Sequence, residues 1–140
     1  MNRKKNPPKV ELTIPVLQDM ELAATHTAEV VAKHMQLSEE KTAEISMALI
    51  EATINAFEHS ETQTSNVEIH FIIEGDTLVI TVTDHGKGFD KSKVEIPNIE
   101  NKIASEHKRG WGLKLIQELM DTVEFQSNDE GTTVTMTKKR

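Results

Sequence analysis

Between residues 67 and 82 the chain alternates apolar and polar side chains twice, with a turn between the two runs. Val67, Ile69, Phe71 and Ile73 stand two apart, and Leu78, Ile80 and Val82 do the same after Glu74-Gly75-Asp76. A period of two gathers one set of side chains on one face of a strand. The stretch therefore predicts a β-hairpin with a single apolar face. Residues 123–127 and 132–137 repeat the arrangement across Asn128-Asp129-Glu130-Gly131. Two hairpins commit the fold to a sheet whose strands run mostly antiparallel, and its apolar face needs a cover.

Helices supply that cover. Val10 to Ile14 reads as a short strand ended by Pro15. A helix is expected to open near Asp19, with Leu22, Ala23, Val30 and Met35 among its apolar residues and His26 tolerated beside them. Ser38 suits the N-cap of a second helix running to about His59, because its hydroxyl accepts an unpaired backbone N–H. Residues 112–120 make a short third helix. The expected architecture is an α/β two-layer sandwich in the α+β sense, with a mixed, mostly antiparallel sheet and three helices on one face. Residues 90–108, polar and interrupted by Pro97, form a connection long enough to be a lid. The 140 residues are read as one domain, with residues 1–9 as a disordered tail.

Composition removes several functions. The chain has no cysteine, which excludes disulfides, thiolate metal sites and a cysteine nucleophile. The formal net charge of −7 argues against nucleic acid as a partner. No apolar run approaches the ~20 residues that span a bilayer, and the basic start lacks the apolar stretch of a secretory signal. A cytoplasmic address is the expectation. The histidines at 26, 34, 70, 85 and 107 have no metal-ligand spacing.

One helix carries chemistry. At 100° per residue, Glu44, Glu51, Asn55, Glu58 and His59 fall within about a third of the circumference. Ile45, Leu49, Ala52, Ala56 and Phe57 occupy the other sides. A solvated face is the ordinary reading of such a stripe. This stripe is narrow, however, and Asn55 is a modest helix former among apolar neighbours, which a ligand for its amide oxygen would explain. Glu51 stands one turn before Asn55, so both reach one small volume. His59 reads first as a helix-end residue.

Three further motifs follow. Asp84-His85-Gly86-Lys87-Gly88 comes directly after a strand: the Asp can accept from an amine, and Gly86 and Gly88 permit close approach of a flat ligand. Taken alone, it is equally a turn. Lys108-Arg109-Gly110-Trp111-Gly112-Leu113 opens a helix, where free N–H groups and adjacent cations favour phosphate. It is not a P-loop. Gly131-Thr132-Thr133 begins the last strand.

In this order and spacing, E-x-x-x-N on a long helix, D-x-G-x-G after a strand, R-G-x-G-L before a helix and a closing G-T-T resemble the four boxes of the gyrase and histidine-kinase type (GHKL) ATPases. Leu49 to Ser60 (LIEATINAFEHS), Gly110 to Phe125 (GWGLKLIQELMDTVEF) and the closing GTTVTMTKK resemble the anti-sigma-factor serine/threonine kinases of that superfamily, over about residues 10–138.

The resemblance implies a Bergerat-type ATP-binding fold using ATP and Mg²⁺. It implies that Asn55 binds the Mg²⁺ bridging the triphosphate and that Glu51 is the general base that activates a substrate hydroxyl. Asp84 would read the adenine amine, with Gly86 and Gly88 close to the base and Thr132 or Thr133 near the adenine. Arg109, Gly110, Trp111, Gly112 and Leu113 would contact phosphates, with Arg109 favoured over Lys108 at the γ-phosphate. The implied activity is phosphorylation of a STAS-type anti-anti-sigma antagonist and sequestration of a sigma factor, by a homodimer. A non-catalytic ATP- or ADP-gated protein binder with the same pocket is the alternative.

Overall fold

The computed structural model describes residues 6–59, 66–85, 113–128 and 131–140. Along the chain these form β1 (Lys9–Pro15), α1 (Glu21–His34), α2 (Glu39–His59), β2 (Asn66–Glu74), β3 (Thr77–Asp84), α3 (residues 113–119), β4 (Thr122–Asn128) and β5 (Gly131–Lys139). The five strands make one sheet in the order β1-β2-β3-β5-β4. Every neighbouring pair is antiparallel, so among the described residues the sheet is antiparallel throughout rather than mixed. β1 is longer than expected: it starts at Lys9, opposite Ile72, and the Ile73 N–H donates to the Pro8 carbonyl. That pairing claims residues assigned above to a disordered tail.

The alternation sorts the sheet into two faces. Ile14, Val67, Ile69, Phe71, Leu78, Ile80, Val82, Val134 and Met136 are buried and share one core with Ala24, Ala28, Val31, Ile45, Leu49 and Ala52 of α1 and α2 and with Ile116 of α3. Register stacks them: Phe71 faces Ile80, which faces Met136. Cutting Phe71 to Ala at the centre of this layer is worth about 3–5 kcal/mol. The other face carries half-buried Glu68, His70, Thr81, Thr83, Thr133 and Thr135, as an antiparallel sheet with one wet side does.

Local signals set the helix ends. The Lys41 N–H donates to Ser38 Oγ at 3.1 Å, so Ser38 caps α2 as its sequence position predicts. α1 ends in a Schellman turn: Gln36 takes φ +60°, its N–H donates to the Lys33 carbonyl, and the Leu37 N–H donates to that of Ala32. α1 opens near Asp19, as expected: Asp19 adopts φ +71° just outside the helix, which begins at Glu21. Its buried face is Ala24, Thr25, Ala28, Val31 and Ala32, while Leu22 and Val30 stay exposed, Val30 by 70%. Of the apolar residues expected there, Leu22, Ala23 and Val30 therefore point away from the core, while Met35, just past the helix end, is buried in it.

Candidate active site

β3 ends at Asp84 beside the start of β5 at Gly131, and α2 packs against both strands.

The strand side is fixed by register. Asp84 pairs with Thr132 across β3 and β5. Both follow the inward alternation of their strands and are buried, Asp84 at 2% exposure and Thr132 at 4%. Thr132 Oγ1 lies 3.1 Å from Ser127 Oγ of β4. Thr133, one residue on, turns to the wet face, where its Oγ1 lies 3.2 Å from Thr83 Oγ1. The two threonines that the sequence left equivalent are thus on opposite faces, and Thr132 is the one beside Asp84. Gly131 has φ +148°, and a Cβ on it would stand 2.0 Å from the Asp84 carbonyl oxygen. Glycine is required there by close approach of two backbones.

The helix side is fixed by an ion pair. Lys138 Nζ lies 3.4 Å from Glu44 Oε2, and Lys41 Nζ donates to the Lys139 carbonyl at 3.0 Å. The first turns of α2 are therefore anchored beside the end of β5. Glu51 and Asn55 follow Glu44 by seven and eleven residues, which returns both to within about 20° of its azimuth. They stand about 10 and 16 Å further along the axis, while β5 covers about 20 Å from Lys138 back to Thr132. Glu51 and Asn55 thus continue along α2 the stripe that meets β5 at Glu44. Both are half-buried, between buried Ala52, Thr53 and Ala56 on one side and exposed Ile54 on the other.

Leu113 is the first described residue of α3 and is half-buried. Gly86, Gly88, Arg109, Gly110, Trp111, Gly112, the expected lid at 90–108 and the alternative cation Lys108 lie outside the described residues. Nothing structural is added to their assignment.

This arrangement fits a nucleotide. A buried carboxylate beside a hydroxyl, on strands brought close by a bare glycine, suits an amine-bearing ring. A carboxamide oxygen on the facing helix is a hard donor of the kind Mg²⁺ takes.

A family model described as the histidine kinase-like ATPase domain matches residues 15–138. A serine-protein kinase RsbW of Bacillus cereus (strain Q1) is 32% identical over 135 residues, covering 93% of this chain and 84% of the relative. The chain belongs to the histidine kinase-like ATPases, within them to the anti-sigma-factor serine kinases. A serine-protein kinase RsbW of Oceanobacillus iheyensis is 29% identical over 135 residues, covering 92% of this chain and 85% of its own. Among solved structures, one of RsbU and RsbW domains from Mycobacterium tuberculosis superposes with a TM-score of 0.70 at 18% identity, covering 94% of this chain and 32% of that one. A chain of the SiaB-SiaC complex from Pseudomonas aeruginosa gives 0.62 at 13% identity, covering 92% of this chain and 87% of that one. At these identities the two structures speak for the fold alone.

As a member of this family the protein is an ATP-using serine/threonine protein kinase of the anti-sigma type. Two residues of the kinase escaped the sequence reading. Lys138 occupies an inward position of β5 and is 6% exposed. Its phase with Thr132, Val134 and Met136 was a usable signal. Ser127 was read only as strand, and its partnership with Thr132 follows from register, which a lone sequence does not give. Glu44, placed in the ligand-facing stripe, is engaged with Lys138 instead.

Proposed function

We propose that this kinase transfers the γ-phosphate of ATP to a serine or threonine of a STAS-type anti-anti-sigma protein, and that it holds a sigma factor inactive when that antagonist is phosphorylated. The observation that carries the reading is the half-buried Glu51–Asn55 pair, on the helix that Glu44 and Lys138 tie to β5, the strand that sets Thr132 beside Asp84. The serine-kinase name of the relatives supports the choice of substrate group.

Each residue has a role in the proposal. Asp84 accepts from the adenine amine, with Thr132 beside it. Asn55 supplies an oxygen to Mg²⁺, whose chemistry is to neutralise charge on the triphosphate. Glu51, one turn away, takes the proton of the attacking hydroxyl. Arg109, Gly110, Trp111, Gly112 and Leu113 hold the phosphates, and Gly86 and Gly88 border the base. The kinase works as a homodimer in the cytoplasm. Among the described residues no helix is long and apolar enough to cross a membrane.

The test is incubation with Mg²⁺-ATP and each STAS-type protein of the same genome, read by intact mass. One phosphate on one such protein identifies the substrate. ATP binding without transfer to any of them overturns the kinase role proposed for Glu51 and leaves a nucleotide-gated binder. Light scattering that gives a monomer at high concentration overturns the homodimer.

A further inference from the structure

Lys138 breaks the rule of its own strand. Along β5 the inward positions are Thr132, Val134 and Met136, and Lys138 takes the next, opposite Leu78. An amine this deeply buried is tolerated only where acceptors replace water. Here there are two: Glu44 Oε2 of α2, 3.4 Å away, and the carbonyl oxygen of Leu119, to which Nζ donates. Leu119 is the last residue of α3, where the helix dipole also favours a cation.

One side chain thus joins α2, α3 and β5, and the wall of the site that bears Glu51 and Asn55 depends on α2. A rotation of α2 by about 20° about its axis would move a side-chain tip about 2 Å, given a helix radius of about 5–6 Å. A displacement of about 1 Å at a reacting group costs about 100-fold in rate.

We propose that the Lys138–Glu44 pair is a positioning device for phosphoryl transfer. It sets the azimuth of α2 so that Glu51 and Asn55 face the nucleotide, and it ties the end of α3 to the same point. The inference rests on the site reading above. Lys138 and Glu44 touch neither nucleotide nor substrate and act through the helices they hold.

The test separates position from stability. Lys138→Met and Glu44→Leu together remove both charges, leaving no orphan, and such replacements keep or raise stability. The double variant is expected to melt within about 5 °C of the parent. Its affinity for ADP without metal, which reads the strand-borne Asp84–Thr132 end, stays within about twofold. The gain in ATP affinity that Mg²⁺ confers falls about fivefold or more, and the transfer rate falls about tenfold or more. Lys138→Arg, which keeps the charge, recovers most of both losses. Glu44→Gln, which removes one charge from a part-exposed position, lowers the Mg²⁺ gain and the rate in the same direction and serves if the double variant does not fold. A folded double variant, or in its place a folded Glu44→Gln, with Mg²⁺ gain and rate both within about twofold of the parent overturns the proposal. A parent protein that transfers no phosphate sinks the kinase reading alone, because the Mg²⁺-dependent binding still decides whether the pair positions α2.

Discussion

Gly131 and Asp84 approach so closely that a Cβ on Gly131 would lie 2.0 Å from the Asp84 carbonyl oxygen. The contact joins the first residue of β5 to the last of β3, and it sets the spacing of the strands that carry Asp84 and Thr132. Gly131→Ala is expected to lower stability by about 2–4 kcal/mol, since backbone must move to admit the methyl group. Gly75→Ala is the control. Gly75 also has positive φ, +59°, but nothing lies within 4 Å of its Cβ position, so the cost is conformational alone, about 1 kcal/mol. Chemical denaturation of both variants checks the contrast, and equal losses would remove the close approach as a cause.

The alternation of β5 makes a prediction about nucleotide binding. Thr132 is inward beside Asp84, while Thr133 is bonded to Thr83 on the wet face. Thr132→Val is expected to weaken ADP binding about tenfold, the worth of one well-placed hydrogen bond. Thr133→Val leaves it within about twofold. Calorimetric titration decides, and a reversed order would move the adenine to the other face of the sheet.

Thr53 stands between Glu51 and Asn55 on α2, fully buried, and its hydroxyl has no hydrogen-bond partner among the described residues. A valine of the same shape avoids the desolvation of that hydroxyl. Thr53→Val is expected to raise stability by about 1 kcal/mol while leaving phosphoryl transfer unchanged. A loss of stability would show that the hydroxyl is satisfied in solution.

Much of this fold was legible because strand periodicity is unambiguous. Val67 to Ile73 and Leu78 to Val82 announced their faces, and Ser38 announced a helix start. Strand order was not legible, because register depends on pairing between distant segments: β5 inserts between β3 and β4. α1 misled for a different reason. Its buried face is made of small residues, Ala24, Thr25, Ala28 and Ala32 with Val31. The larger Leu22 and Val30 drew the apolar face the wrong way. Close packing of α1 on α2 wants small side chains, and hydrophobicity alone does not register that.

The candidate site divides similarly. Glu51, Asn55 and Asp84 were legible as motifs, because each needs a particular chemical group at a fixed distance from a turn or a helix neighbour. The choice between Thr132 and Thr133 needed the strand register. The role of Glu44 needed its partner Lys138, ninety-four positions away in the chain, which helix periodicity by itself does not supply.

The central claim is that the α2 stripe is where phosphate leaves ATP. Its most direct measurement compares Glu51→Gln with the parent protein in two assays, Mg²⁺-ATP affinity and the single-turnover rate of transfer to the STAS-type substrate. The account predicts affinity within about threefold and a rate lower by about 100-fold or more, the usual contribution of a positioned base. A rate within about tenfold of the parent, at unchanged affinity, would contradict it and place the base elsewhere.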